Sequence, residues 1–287
     1  MVRPMKPLRT IILAAGRGIR MNSDLPKMLH PICGKPMIQH VMNLAGCVGS
    51  LRTYIVLGFK HQEVREAISG HVEIVLQKRL LGTADAVRRT HPYFKNYRGD
   101  VLILSGDAPL LERRTIAQLI KKHRRRQAVC TFLTADAADP FGYGRVIRDP
   151  QGSVGAIREE RDASLTEKEI TEINAGVYCF NARVLFRLIS AVKVNRRKKE
   201  FYLTDIVSLL VEKGERVETL KTSDSAEALG INTREELAFA AQILRKRILK
   251  SFMLKGVTIE DPQTTHIHAD VKIGRDTTIR PFTVIEN

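Results

Sequence analysis

Apolar residues fall in two kinds of run along this chain. Thr10–Ala14, Tyr54–Gly58, Val72–Leu76, Val101–Ser105 and Val129–Leu133 are short stretches rich in Val, Ile and Leu, without polar alternation. Continuous apolar runs predict strands buried on both faces, the habit of a mainly parallel sheet. Between them apolar positions take helical spacing: Ile116, Leu119, Ile120 and His123 follow i, i+3, i+4, i+7 and turn one stripe inward. Strands alternating with helices predict βαβ units and a doubly wound α/β domain.

The pattern loosens from Asp139 to Thr171, where Gly142, Gly144, Gly152 and Gly155 interrupt short strands. An insertion with this many turns is expected to cover a ligand site rather than to make core. Regularity returns with a strand at Ala175–Phe180, a helix after Asn181 and a strand near Val217–Leu220. Thr233 and Glu236 then form a capping-box pattern. The helix it opens carries Leu237, Ala241, Leu244 and Ile248 on one face, with Gly256 beyond its end. In the last stretch Ile267, Ile273, Ile279 and Ile285 recur every six residues, with Val271, Thr277 and Thr283 between them. A six-residue aliphatic period predicts a left-handed parallel β-helix, here about one coil long. Such solenoids need about three repeats to stand alone, so the coil is either the stump of a larger domain or a cap docked on the rest.

Composition narrows the class. At 287 residues, 44% hydrophobic and 27% charged, the chain has the make-up of a soluble protein with a real core, as one large domain or two smaller ones. No tract of about eighteen apolar residues is present, which excludes a transmembrane helix. Met1–Gly16 has basic residues before Ile11–Ala15, but that run is too short for a signal-peptide core and leads into a glycine turn. It reads as a buried first strand of a cytoplasmic protein. Cys33, Cys47, Cys130 and Cys179 lie far apart with no C-x-x-C pair, the distribution of reduced thiols rather than of a zinc site or a disulfide scaffold. The net charge of +16 suits a polyanionic partner, small phosphorylated substrates or a basic host proteome equally.

Candidate chemistry begins directly after the first strand. Leu13-Ala14-Ala15-Gly16-Arg17-Gly18-Ile19-Arg20-Met21 places glycines at a strand-to-helix turn, where backbone N–H groups can approach phosphate oxygens, and Arg20 adds charge. It is neither a P-loop nor the dinucleotide fingerprint, since G-K-[ST] and the third glycine are missing. Lys27 follows seven residues after Arg20 along a proline-stiffened path, Ser23-Asp24-Leu25-Pro26-Lys27-Met28-Leu29-His30-Pro31 and then Gly34-Lys35-Pro36-Met37. Two cations and a glycine turn make a polyphosphate cradle.

This combined string resembles the signature of sugar-1-phosphate uridylyltransferases, in particular the N-terminal domain of the bacterial bifunctional N-acetylglucosamine-1-phosphate uridylyltransferase/glucosamine-1-phosphate acetyltransferases. The resemblance runs from Thr10 to Asn287 with motifs in the same order. It implies a Rossmann-like nucleotide-diphospho-sugar transferase domain over 1–232, a connecting helix over 233–256 and the start of the β-helix over 257–287. Leu13, Ala14, Ala15, Gly16, Gly18, Gln77, Gly82 and Thr83 are then implied to bind nucleotide, with Gln77 and backbone groups reading the donor–acceptor edge of uracil. Ser105, Gly142, Glu159, Asn174 and Asn232 are implied to bind the sugar, beside the stretch Glu200–Asp205. Asp107 and Asn232 are implied to ligate Mg²⁺. Read without the family, Asp107 could cap a following helix, Asn232 its own helix, and Glu159 could be a solvated loop charge. All of them occurring in order favours the family reading.

The implied reaction joins UTP to N-acetylglucosamine 1-phosphate, giving UDP-N-acetylglucosamine, a precursor class for cell-wall and lipopolysaccharide synthesis, and pyrophosphate. A phosphate dianion is its own nucleophile, so catalysis is alignment and charge neutralisation. Arg20 would hold the leaving pyrophosphate and Lys27 would offset charge at the reacting phosphates. Three departures stand out. Ile19 replaces a usual Thr, which removes one hydroxyl worth about 1 kcal/mol; Arg17 replaces a frequent Lys; and Asp85 stands where His is common. The chain also stops after the first coil, so no acetyltransferase activity is expected and the family's trimer contacts are in doubt, although a homo-oligomer remains open. A glucose-1-phosphate nucleotidyltransferase and a catalytically weak sugar-nucleotide-binding regulator are the rivals. A nucleic-acid binder is disfavoured, because Lys121–Arg126 and Arg196–Lys199 lack interleaved aromatics and read as solvated faces. A membrane partner is not expected either.

Overall fold

The computed structural model describes residues 6–287 except Arg196 and Lys198, so the first five residues and those two members of the Arg196–Lys199 basic run lie outside the described residues. Each predicted strand in the first part of the chain forms, with ends that differ by up to three residues. These are β1 (Leu8–Ala14), β2 (Thr53–Leu57), β3 (Glu73–Leu76), β4 (Asp100–Ser105) and β5 (Cys130–Asp136). The insertion contributes a hairpin, β6 (Arg145–Arg148) and β7 (Val154–Arg158), before β8 (Glu172–Asn181) and β9 (Val217–Lys221). One nine-stranded sheet results, with the order β9-β5-β8-β4-β1-β2-β3 and the β6–β7 hairpin branching from β8.

The block β4-β1-β2-β3 is parallel throughout, and β9 runs parallel to β5. β8 is antiparallel to both its neighbours, so the sheet is mixed. Continuous apolar runs do not encode direction, only burial on both faces, which is why the sequence is silent about β8. Alternate residues of the central strands enter two cores. Ile11, Tyr54, Val56, Val101 and Ile103 face one; Ile12, Ile55, Leu57, Leu102 and Leu104 face the other. Helices α1 (Met37–Cys47), α2 (His61–Ala67) and α4 (Arg113–Arg126) cover the second face. The first is covered by α3 (Thr83–Arg89), α6 (Ala182–Leu188) and α7 (Asp205–Glu212), with the short α5 (Leu165–Lys168) outside on the insertion.

The predicted apolar stripe of α4 is the buried one: Ile116, Leu119, Ile120 and His123 are all sequestered. Its basic end is used within the fold. Lys122 donates to Thr219 O and lies near Glu218, while Arg124 reaches Asp100 and Lys6 O. Helix α8 (Arg234–Met253) starts on the predicted capping box, with both reciprocal Thr233–Glu236 bonds present. Its Leu237, Ala241 and Leu244 pack on Ile32, Leu110 and Ile231, which fastens the helix beside the sheet. Leu249 and Phe252 at its far end meet Ile259, Ile267 and Ile279 from the last segment. There Thr258–Ile259 pairs in parallel with Thr278–Ile279, and His266–Ile267 with Val284–Ile285. Among the described residues no helix is long and apolar enough to cross a membrane. The cysteines are free, with Cys130 and Cys179 buried, Cys33 half-buried and Cys47 exposed.

Candidate active site

In the order β4-β1-β2-β3 the chain leaves β1 toward one side for β2 and reaches β4 on the other. Such a reversal opens a crevice at the carboxyl ends of the strands. A cleft of about 710 Å³ lies there. Its walls include Leu13, Ala15, Gly16, Gly18 and Arg20 from the turn after β1, then Lys27, then Gln77 after β3. Gly82 and Thr83 at the start of α3, Ser105 and Asp107 after β4, Glu159 after β7 and Asn232 before α8 complete the set. Ala14, Gly142 and Asn174 do not line it. Ala14 is buried beneath the turn, and Gly142 is exposed on the insertion. The Asn174 amide is bonded inside the protein, to Tyr178 Oη at 2.6 Å and from Gly176 N at 3.1 Å.

The turn after β1 depends on Gly18. Its φ is +65°, and a Cβ there would stand 2.5 Å from Lys27 Cβ. The close approach lets Lys27, though only 7% exposed, pass under the turn. Residues 19–21 form one 3₁₀ turn that leaves Arg20 exposed, and Ile19 is 80% exposed beside it. The buried Lys27 ammonium donates to Asp107 Oδ2 at 2.5 Å and to Asn232 Oδ1 at 2.7 Å. Residues 80 and 205 positions apart in sequence thus meet at one charge.

Each acceptor is oriented from behind. Ser105 Oγ donates to Asp107 Oδ1 at 2.6 Å, and Asp107 O accepts from Ile231 N at 2.9 Å. Asn232 Nδ2 donates to Gly230 O at 2.9 Å, which turns Oδ1 toward Lys27. The cap of α8 holds the Asn232 backbone too, because Glu236 Oε2 accepts from the N–H groups of both Asn232 (2.5 Å) and Thr233 (3.0 Å). Thr233 is therefore the cap and Asn232 is left to face the cleft; Asp107 caps no helix, since α4 opens at Glu112. Burial pushes the Asp107 carboxyl up, but the Lys27 charge and the bonds from Lys27 and Ser105 hold it below the usual carboxylate range.

Among the described residues no three of His, Cys, Asp or Glu form a cluster able to hold a metal ion. Asp107 and Asn232 nevertheless present two hard oxygens to one point already taken by a cation. That donor set fits a small divalent ion whose remaining ligands come from phosphate and water.

On the base side, Gln77 is 3% exposed, and its Nε2 donates to Gly82 O and to Asp85. Gly82 has φ +94°, and a Cβ there would strike Phe201 O at 2.5 Å, so only glycine fits. Thr83 Oγ1 accepts from Leu203 N at 2.9 Å and ties this turn to the 200–205 stretch. On the sugar side, Glu159 accepts from Thr204 Oγ1 at 2.8 Å and is no solvated loop charge. Burial raises its carboxyl above the usual range, against the Thr204 bond, with Asp205, Asp162 and Glu200 adding repulsion. The neighbouring Glu160 pairs instead with Arg145, at 2.7 Å, and that arginine is 2% exposed. Thr204, from the expected 200–205 stretch, stands behind Glu159, and one residue overlooked in the sequence, Arg161, also belongs to this side, in the wall. Only the proximity of Arg161 to Glu159 in sequence hinted at it.

The profile of the family described as nucleotidyl transferase matches residues 9–227. The chain belongs to this nucleotidyl transferase family. Among curated relatives it is 44% identical over 276 residues to the bifunctional protein GlmU of Pelotomaculum thermopropionicum, covering 96% of this chain and 60% of that protein. The GlmU of Bacillus subtilis is 42% identical with the same coverage. The chain thus spans 60% of the length of these relatives. A solved structure assigned as a glucose-1-phosphate thymidylyltransferase of Bacillus anthracis superimposes with a TM-score of 0.69 at 20% identity, over 82% of this chain and 94% of that one. At that identity it attests the family's fold alone.

Proposed function

We propose that the cleft transfers a uridylyl group from UTP to N-acetylglucosamine 1-phosphate, giving UDP-N-acetylglucosamine and pyrophosphate. The observation that carries this reading is the convergence of Lys27, Asp107 and Asn232 between the glycine turn on one side and Glu159 on the other. Identity of 42–44% to GlmU proteins over 96% of the chain supports the choice of nucleotide and sugar.

The sugar phosphate oxygen attacks the α-phosphorus in line and pyrophosphate departs, with no protein nucleophile. The protein's task is to align two anions and offset their repulsion. The backbone N–H groups of Gly16–Gly18 and the exposed Arg20 would hold the leaving pyrophosphate. Lys27, already threaded under that turn, would hold the reacting phosphates. Gln77 and the Gly82 backbone would receive the base, and Glu159, braced by Thr204, a sugar hydroxyl. Asn174 and Gly142 lie behind or beside this wall and would act on the sugar through the insertion. Mg²⁺, held by Asp107 and Asn232, supplies charge neutralisation at the phosphate oxygens when bound.

We also propose the division 1–232, 233–256 and 257–287, with the parallel pairings of the last segment as the first coil of a left-handed β-helix docked on α8. The substrates place the reaction in the cytoplasm. The test is pyrophosphate release with UTP and N-acetylglucosamine 1-phosphate, with Mg²⁺ and again with EDTA, beside glucose 1-phosphate, other nucleoside triphosphates and Asp107→Ala. Release that needs UTP, the N-acetyl sugar and metal, and collapses in the variant, is the expected result. Preference for glucose 1-phosphate, or silence from folded protein with every pair, overturns it.

A further inference from the structure

Asp85 stands outside the cleft wall, in the first turn of α3, and is 0% exposed. An aspartate in a first helical turn with arginines three and four residues on is ordinarily a solvated helix pair. Here it faces inward. Its Oδ2 accepts from Gln77 Nε2 at 2.9 Å, while Arg88 Nη2 bonds Oδ1 at 2.6 Å and Arg89 Nε bonds Oδ2 at 3.3 Å. Burial pushes this carboxyl up, but the bonds from Gln77, Arg88 and Arg89 hold it below its usual value, so it is ionised and can only accept.

A primary amide has two N–H donors and one oxygen acceptor. Both donors of Gln77 are used, one on Asp85 and the other on Gly82 O at 3.0 Å. Its Oε1 accepts no hydrogen bond from the protein among the described residues, and Gln77 is part of the cleft wall. Turning the amide over would set Oε1 against a carboxylate and a carbonyl, two acceptor–acceptor contacts in a buried place. Asp85, together with the Gly82 carbonyl, thereby leaves Gln77 one orientation, acceptor toward the ligand.

We infer that Asp85 is a positioning residue for base selection: by fixing the Gln77 amide, it makes the cleft accept pyrimidines that carry N3–H and refuse those whose N3 is an acceptor. Uracil and thymine offer that donor; cytosine meets the oxygen with a lone pair. The inference rests on the reading above in which Gln77 meets the base.

The test is equilibrium dialysis of UTP, CTP and 3-methyl-UTP, which lacks the N3 hydrogen, against wild type, Asp85→Asn and the surface double variant Arg88→Gln/Arg89→Gln. Wild type should bind UTP at least about tenfold more tightly than either other nucleotide, the worth of one hydrogen bond in a partly dry site. Asp85→Asn can itself donate, which removes the charged one of the two acceptors that hold the amide, and the UTP-to-CTP ratio should shrink by about tenfold. The double variant keeps the buried carboxylate and should shrink the ratio by no more than about threefold. General loosening would weaken all three nucleotides together and leave the ratio unmoved. An unchanged ratio in folded Asp85→Asn overturns the inference. So does equal binding of UTP and 3-methyl-UTP by wild type, which decides the matter should Asp85→Asn fail to fold. Tight UTP binding without uridylyl transfer overturns the proposed reaction but not the role of Asp85, whereas absence of UTP binding to wild type overturns both.

Discussion

Lys27 Nζ lies 2.5 Å from Asp107 Oδ2, with the lysine 7% and the aspartate 18% exposed. The ammonium also bonds Asn232, so it stands between the two oxygen donors on which a metal would sit. A cation with no substrate in place needs a counter-charge, and this pair keeps both partners from being buried alone. Asp107 and Asn232 would hold a divalent ion, which supplies charge at the phosphates when bound, and the Lys27 ammonium would meet phosphate oxygens beside them.

Breaking that pair should therefore be felt twice. Lys27→Met leaves a carboxylate facing Asn232 with no cation, at roughly 1–3 kcal/mol of stability for a pair that is only partly buried. The turnover number should fall by about 10²–10³-fold, as when one preorganised electrostatic group is lost. Thermal melting and steady-state pyrophosphate release check the two halves separately. A variant that melts earlier yet turns over normally would show Lys27 to be a structural counter-ion only.

Gly18 gives a second test. An added methyl would meet Lys27 Cβ at 2.5 Å, and φ is +65°, where a side chain is strained in itself. Gly18→Ala should cost about 1–2 kcal/mol from the backbone and displace Lys27 from Asp107 and Asn232. Activity should drop at least about tenfold beyond what the loss of folded protein explains. A pyrophosphate-release assay at a temperature where both proteins are folded separates the effects.

These residues show what the sequence could and could not carry. Apolar runs gave β1 to β5 because burial on two faces leaves a direct trace in composition, and the capping box gave the start of α8 to the residue. The strand direction of β8 left no such trace. Local pattern likewise could not show that Lys27 bonds Asp107 and Asn232, since the three are joined only by the fold. Glu159 and Glu160 are adjacent and chemically alike, yet one faces Thr204 in the cleft and the other Arg145. Glu159 follows β7 directly and Glu160 opens the turn after it, so no strand alternation tells the two apart and only the fold does.

Asp100, far from the cleft at the amino end of β4, should matter for stability alone. It is 0% exposed, accepts from Arg124 Nε at 2.9 Å and lies 3.7 Å from His123 Nε2. Burial pushes its carboxyl up, but the Arg124 bond and the nearby His123 and Arg124 hold it below the usual value of 3.8. A depressed carboxylate stabilises the fold above its unfolded-state value, and that share is lost as pH falls through the folded-state value. Asp100→Asn should therefore cost roughly 2–3 kcal/mol near neutral pH, with the gap from wild type closing only below pH 3.8. Chemical denaturation over a pH series measures this, and the kinetics of the folded variant should be unchanged.

Glu159 should behave in the opposite sense. Its carboxyl is raised by burial, against the bond from Thr204, and further raised by the charges of Asp205, Asp162 and Glu200. A raised carboxylate is a burden once ionised: the fold loses stability as pH climbs from the ordinary value of 4.5 through the folded-state value, and regains it on acidification. Glu159→Gln removes that burden while keeping an oxygen for Thr204. The variant should melt above wild type at pH 7 to 8, and the difference should vanish toward pH 4.5 as wild type takes up its proton. If Glu159 also meets a sugar hydroxyl, the same variant should raise the KM for the sugar phosphate by about tenfold or more, a hydrogen bond to a charged acceptor being worth about 1.5–3 kcal/mol. The KM for UTP should stay where it was. Melting curves at the two pH limits and the two KM values together decide the point: a variant more stable at neutral pH but unaltered toward the sugar would make Glu159 a strained wall of the cleft and not a contact.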